Sequence, residues 1–424
     1  MPAFPYTRKT FENGLRLLRV LIPQSVSTTV LVLAGVGSKD EPRELSGISH
    51  FLEHLGFKGT ARRATSREIS TALDALGAES NAFTGFEYTG YYAKAANGAF
   101  PAALDILSDV YLNAALDPAE VDRERGVILE EINMYEDLPM RKIRDVFRDL
   151  LYGDTPAGRP ILGTRETVSR LSRDEITRYR DEHYEATRTV VVVAGGYEGD
   201  VESLVGGAFR NAARRAASLD LLDAGDGVIA EPLVRFETKK TDQDHLVLGF
   251  PAFPLSDPRR PTLALLQSVL GGSMSSRLFL RIRDEMGAAY YVNSFSDLDS
   301  RHGYIGIAAG IDRSRRREVV RALLEETRRL ADDVVPIAEL EKSREHLVGN
   351  LLLDLETSDE VAGFYGIEEL LLGKPRTPDE AIALIRAVTQ EDVRALARDL
   401  FGSAKPRLAL IGADGANEEL LSLL

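Results

Sequence analysis

The segment His50-Phe51-Leu52-Glu53-His54 reads H-x-x-E-H. On an α-helix, positions four apart lie one turn apart on the same face, so His50 and His54 present two imidazoles side by side. Two such rings reach one divalent cation at about 2.0–2.1 Å each. Glu53 follows His50 by three residues and projects near the same face. There it can take a proton from a polarised water without being a ligand. With six histidines in 424 residues, chance yields this pattern in on the order of 1% of such chains.

A third ligand comes from Val121-Asp122-Arg123-Glu124-Arg125-Gly126-Val127-Ile128-Leu129-Glu130-Glu131-Ile132. At about 100° per residue, Val121, Glu124, Ile128 and Glu131 fall on one helical stripe and Glu130 on another side. Glu124 and Glu131 thus share a face with apolar residues, and buried carboxylates are costly unless paired or bound to a cation. On helix geometry alone, pairing with arginines serves as well as a metal. The histidine pair elsewhere in the chain favours the metal, with His50 and His54 joined by a carboxylate from the Glu124/Glu131 stripe as its candidate ligands.

Outward from these segments the chain alternates strand-like and helical stretches. The first half carries strand patterns at 15–22, 28–34, 78–84, 88–95 and 187–194, the last containing the apolar run TVVVVA. Helical patterns cover 47–56, 100–113 and the segment from Pro118 towards Met134. Thr65 and Glu68 read as a capping box opening a further helix. Residues 214–230 look like a connection, with Asp-Ala-Gly-Asp-Gly resisting regular structure. The second half then repeats the order, with strands at 233–239, 245–250, 289–296, 304–309 and 407–411 and helices at 259–270 and 276–286. The expected fold class is α+β: two homologous α+β domains, each an antiparallel-rich sheet packed against helices. The domains are 1–213, carrying the metal ligands, and 231–424, joined by 214–230.

Composition narrows the function classes. The 66 acidic residues outnumber 52 Lys and Arg, for a net charge of −14, which argues against a nucleic-acid partner. No cysteine is present, which rules out disulfides, thiolate metal sites and a cysteine nucleophile. The N-terminal MPAFPYTRKTFENG lacks a signal-peptide core, and no run reaches about 18 apolar residues, so a cytoplasmic protein without a membrane span is expected.

The two motifs together resemble the pitrilysin-type inverted-zincin peptidases, which include mitochondrial processing peptidase and insulin-degrading enzyme. Their H-x-x-E-H is followed by a ligand glutamate after about 76 residues. Here 131 − 54 = 77 positions leave 76 between, which again selects Glu131 over Glu130. The resemblance implies one Zn2+ per chain, Glu53 as the general base and Glu124, seven residues before the ligand, as a support of the site. The run from Ser80 to Tyr92 is similar to the family's N-A-x-T-x-x-x-x-T-x-Y segment, an edge strand that pairs with substrate backbone, implying contacts from Asn81, Ala82 and Phe83. The run from Ser276 to Tyr290 resembles S-R-L-F-x-x-I-R-x-x-x-G-x-x-Y, whose arginine and tyrosine bind the substrate carbonyl; Arg283 and Tyr290 fill those positions. Tyr291 is adjacent, and only spacing favours Tyr290. By resemblance the chain is a zinc endopeptidase acting on unfolded peptides inside a closed clamshell of two chains, a homodimer or a heterodimer with a related chain. The rivals are a non-catalytic scaffold, whose family members usually lose zinc ligands, and a peptide-binding subunit.

Overall fold

The computed structural model describes residues 4–214, 227–229, 231–402, 404–414 and 420–424. The chain forms two compact α+β units. The first takes the described residues of Met1–Asn133, Pro160–Asp223 and Leu352–Pro378; the second takes those of Met134–Arg159, Ala224–Leu351 and Asp379–Leu424.

The first unit is built on strands β1 (Tyr6–Thr10), β2 (Arg16–Leu21), β3 (Ser27–Ala34), β4 (Glu79–Thr84), β5 (Thr89–Ala96) and β6 (Thr189–Gly195). They line up as β1-β2-β6-β3-β5-β4, with β2 and β6 parallel and the other neighbours antiparallel. The second unit holds β7 (Val234–Thr238), β8 (Asp244–Ala252), β9 (Ala289–Leu298), β10 (Gly303–Ile311) and β11 (Arg407–Gly412), in the order β7-β11-β8-β10-β9. Here β7 and β11 are the parallel pair. The series β2-β6-β3-β5-β4 therefore recurs strand for strand in the second sheet, and the first sheet adds β1 at one edge.

Sequence spans and compact units differ at two helices. Helix Pro139–Tyr152 packs on strands of the second unit, and helix Ser358–Leu372 on strands of the first. The cause lies in the central strands, which are apolar on both faces. In the first unit Val30, Val32, Val191 and Val193 join the core beneath helices Ile48–Gly56 and Phe100–Asn113. Leu31, Leu33 and Val192 point to the opposite face, where Gly366 lets the backbone of helix Ser358–Leu372 approach; a Cβ there would stand 2.8 Å from Leu33 and 2.9 Å from Val192. Polar anchors fix that helix: the Arg16 guanidinium donates to Glu369 Oε1 at 3.2 Å, and the hydroxyls of Thr29 and Ser358 meet at 2.8 Å. In the second unit Phe147, Leu150 and Leu151 cover Val247, Tyr304, Ala409 and Ile411 in the same way. Local periodicity reveals that such helices exist but not which sheet needs them.

Local structure departs from the sequence reading at three places. The strand β1 carries no apolar alternation, because it is a mostly exposed edge of sequence YTRKT. Thr65 accepts the Glu68 N–H, but the Glu68 carboxylate turns to the Ala64 N–H, so the box is half closed. The helix expected over 276–286 forms, but it winds more widely, as a π-helix, over Phe279–Glu285. Most of 214–230 lies outside the described residues. No described helix is long and apolar enough to cross a membrane.

Candidate metal centre

Helix Ile48–Gly56 is held at both its start and its buried side. Gly47 precedes it at φ +96°, a left-handed conformation that favours glycine, and the Leu162 carbonyl would lie 2.7 Å from any Cβ there. The buried Glu41 carboxylate accepts the Gly47 and Ser49 N–H groups at 2.7 and 2.8 Å, satisfying donors at the helix start. Ile48, Phe51, Leu52 and Leu55 are at most 2% exposed and bind the helix to the core. His50 and His54 lie at the edge of that buried face, with ring centroids 4.6 Å apart.

The second helix, Pro118–Glu136, starts where Asp117 accepts the Ala119 N–H at 2.8 Å. It buries Val121, Glu124 and Ile128, and Glu131 is next on that stripe; Glu130 is exposed. Its Glu131 Oε2 stands 3.6 Å from His50 Nε2 and 3.5 Å from His54 Nε2. Among the described residues, His50, His54 and Glu131 form the one group of three such side chains with ligand atoms mutually close, all within 4.8 Å. Both nitrogen–oxygen separations are longer than an ordinary hydrogen bond. A cation bonded to all three at about 2.0–2.2 Å in tetrahedral geometry sets its ligand atoms about 3.4 Å apart. The spacing and the two-imidazole, one-carboxylate chemistry therefore fit zinc.

The surrounding charges are arranged around this point. Burial, reinforced by the neighbouring His54, pushes His50 down to about 4, with Glu131 opposing. Burial also pulls His54 down, but the carboxylates of Glu131, Glu124 and Glu53 outweigh it and raise its value. The approach of the His54 imidazole holds Glu131 below the usual carboxylate range, with the charge of His50 adding to it and burial opposing. Burial pushes Glu53 up, opposed by His54 and by the hydrogen bond from Thr84. Glu124, almost wholly buried, receives His54 Nδ1 at 3.2 Å and Lys58 Nζ at 2.7 Å, so its partners are a histidine and a lysine and not the arginines of the alternative reading.

The structure brings the segment at β4 to the same place. Among the described residues β4 pairs only with β5 and forms the last strand of its sheet. Its Thr84 hydroxyl donates to Glu53 Oε2 at 3.0 Å. Asn81 and Phe83 point to the other face: Asn81 Oδ1 accepts the Ala82 N–H at 2.9 Å, and the Phe83 ring lies over Gly90. Sequence reasoning took Asn81, Ala82 and Phe83 from this segment and missed Thr84. It missed Lys58 and Glu41 as well. The N-A-x-T pattern could have pointed to Thr84; no local signal distinguished Lys58 or Glu41 from surface charges.

Arg283 and Tyr290 belong to the second unit. Arg283 is exposed, with its guanidinium 4.8 Å from the Phe279 ring centre. Tyr290 is the second residue of β9 and is 74% exposed, on the wall of an open groove of about 1090 Å³ shared with Asp312 and Arg313. Tyr291 is occupied: its hydroxyl meets His245 Nδ1 at 3.1 Å, and burial pushes it up to about 12. The exposed hydroxyl is that of Tyr290.

Residues 19–165 match the family described as insulinase, peptidase family M16, and residues 170–347 match the peptidase M16 inactive domain. A protein of Streptomyces coelicolor named as an uncharacterized zinc protease is 38% identical over 410 residues, 96% of this chain and 89% of its own. One of Bacillus subtilis with the same description is 38% identical over 412 residues, 96% of this chain and 98% of its own. In fold, the chain is similar to a protease from Helicobacter pylori, with a TM-score of 0.85 at 22% identity over 97% of this chain and 100% of that one. It is also similar to a peptidase M16 inactive domain from Pseudomonas fluorescens, with a TM-score of 0.88 at 15% identity over 97% and 99%. Matched in both halves and aligned with its relatives almost end to end, the chain is a member of peptidase family M16, the pitrilysin-type group its motifs resemble.

Proposed function

We propose that the protein is a zinc-dependent endopeptidase of unfolded peptides. The observation that supports it most is the meeting of His50 Nε2, His54 Nε2 and Glu131 Oε2 beside the half-buried Glu53, which stands outside that group. One Zn2+ per chain, held by those three atoms, would supply Lewis-acid polarisation of the scissile carbonyl and of a water. Glu53 takes the water proton and passes it to the leaving amine. The open edge of β4 receives the substrate as an added strand, with Asn81, Ala82 and Phe83 at the contact. Asn81 has to release the Ala82 N–H as that strand docks. Arg283 and Tyr290 of a second copy hold the carbonyl oxygen as negative charge develops on it. In this reading the active form is a homodimer enclosing a chamber, and the protein works in the cytoplasm.

Metal analysis beside cleavage of an unstructured peptide library, with and without a chelator, tests the reading. Bound zinc and chelator-sensitive cleavage by the purified chain are expected. Zinc without cleavage would favour a scaffold or peptide-binding subunit.

Zinc uptake also carries a proton count. His54 is raised above its ordinary value of 6.5 and His50 lowered to about 4. Between those limits the metal-free site holds one imidazole proton, and the cation must displace it. The logarithm of apparent zinc affinity should rise with pH at a slope of about one between pH 5 and 6.5, measured by competition with a chelator whose own titration is known. A slope of two across that window would mean that both imidazoles are protonated.

Thr84→Val removes the donor to Glu53 while keeping side-chain volume. A hydrogen bond to a charged group contributes about 1.5–3 kcal/mol, so kcat should fall roughly 10- to 100-fold with zinc retained. Thr84→Ser should recover most of it. A raised KM at constant kcat would instead make Thr84 a substrate contact of the strand.

A further inference from the structure

The buried Glu124 carboxylate divides its two oxygens. Oε2 faces His54 Nδ1 at 3.2 Å, and Oε1 faces Lys58 Nζ at 2.7 Å. On the far side of the same imidazole, Nε2 faces Glu131. The contacts form one line: Lys58 ammonium, Glu124 carboxylate, His54 ring, cation position. By contrast, His50 Nδ1 is buried without a hydrogen-bond partner among the described residues. His54 is therefore the ligand whose ring orientation and tautomer are set by neighbours. A carboxylate accepts hydrogen bonds, so it fixes the proton on Nδ1 and leaves the Nε2 lone pair for a metal.

Lys58 is itself held in place. It follows the end of the His50/His54 helix, with its N–H donating to the Leu55 carbonyl at 3.2 Å. Gly59 comes next at φ +144°, where a Cβ would stand 2.5 Å from the Ala64 carbonyl, and its own carbonyl accepts the Ala115 N–H at 2.9 Å. Thr60 bridges to Ala114, and its hydroxyl donates to the buried Asp109 at 2.6 Å. Arg63 closes on the same carboxylate at 2.8 Å. A loop pinned this way brings the Lys58 stem to Glu124 with little freedom, and about 30% of the side chain stays exposed.

We propose that Lys58 is a positioning residue of the metal centre: its ammonium occupies Glu124 Oε1 and turns Oε2 onto His54 Nδ1, so that His54 presents Nε2 to the cation. The inference rests on the zinc reading above and adds a residue from outside the ligand set. It makes a prediction opposite in sign to simple electrostatics. Removing a positive charge near a cation site should tighten zinc binding if charge alone matters. Removing a positioning group should weaken it, because outer partners of metal-bound histidine are worth about 10- to 100-fold in affinity.

The experiment measures zinc Kd of the metal-free full-length protein by chelator competition, with melting of the metal-free form alongside. Wild type is compared with Lys58→Met, Lys58→Arg and Glu124→Gln, and with Lys58→Met in the Glu124→Gln background. Lys58→Met should weaken zinc about tenfold in a metal-free protein that still melts cooperatively, at a lowered temperature because Glu124 loses a partner. Lys58→Arg should restore affinity, and the double variant should be no weaker than Glu124→Gln alone. Nitrogen-15 spectra of the histidines should show a mixed His54 tautomer in Lys58→Met. If Lys58→Met does not fold, Lys58→Gln carries the same measurements. Unchanged or tighter zinc binding in the lysine variant overturns the proposal, as does a further loss in the double variant. Wild type that binds no zinc would instead overturn the reading on which the proposal depends.

Discussion

Replacing Glu53 by Gln should leave zinc bound and lower peptide hydrolysis by about 10²- to 10⁴-fold, the usual contribution of a positioned general base. The two readouts separate because Glu53 lies outside the ligand triangle. His50, His54 and Glu131 supply the three mutually close atoms, whereas Glu53 Oε2 is engaged by Thr84 at 3.0 Å from the neighbouring strand. Glutamine keeps the shape and can still accept from Thr84, but it cannot take a proton. Burial raises Glu53 above the ordinary glutamate value of 4.5. A base works deprotonated, so kcat/KM of the wild type should fall with acid as Glu53 takes up a proton, the bound cation opposing the effect of burial. Zinc content followed over the same range distinguishes this loss from metal release. Full turnover by Glu53→Gln with a normal zinc content would remove Glu53 from the mechanism, and loss of zinc would show that it has a ligand's role.

How much of this was legible beforehand depended on the range of each interaction. The meeting of His50, His54 and Glu131 was readable because two of the residues share a helical turn and the third repeats a helical stripe, so periodicity alone put Glu131 on the buried face and Glu130 outside it. The sheets were readable for a similar reason: runs such as Thr189–Gly195 are wholly buried, and only a central strand with two covered faces tolerates that composition. What stayed hidden depends on distant packing. Helices Pro139–Tyr152 and Ser358–Leu372 look like ordinary amphipathic segments, and the sheet each one covers is set by which face still lacks a layer. Lys58 lies in a loop of ordinary charged residues, and its value comes from a carboxylate 66 positions later. Glu41 caps a helix that begins seven residues after it, outside the reach of any capping-box pattern. The choice between Tyr290 and Tyr291 rested on spacing until the His245 contact showed which hydroxyl was engaged.

Tyr290→Phe should lower kcat by about 10²- to 10³-fold, the loss measured when a single donor to an oxyanion is removed. The hydroxyl is the only group deleted, so zinc content and melting should stay at wild-type levels. At 74% exposure the side chain supports little of its own unit's packing, and a structural cost would be small. Tyr291→Phe is the matched control, because that hydroxyl is tied to His245 and its loss should leave turnover unchanged. The sharper form of the experiment mixes two inactive proteins. Glu53→Gln chains lack the base, and Tyr290→Phe chains lack the carbonyl donor. If each site takes its base from one chain and its tyrosine from the other, a hybrid dimer contains one site with both defects and one intact site. Random mixing at equal concentrations makes about half of the dimers hybrid, and so restores roughly a quarter of wild-type activity if dimers exchange freely. Tagged chains purified in tandem would confirm that hybrids form. Hybrids without activity would mean that the tyrosine and the base of each site come from one chain, whereas a Tyr290→Phe protein that is fully active by itself would mean that Tyr290 does not touch the reacting carbonyl.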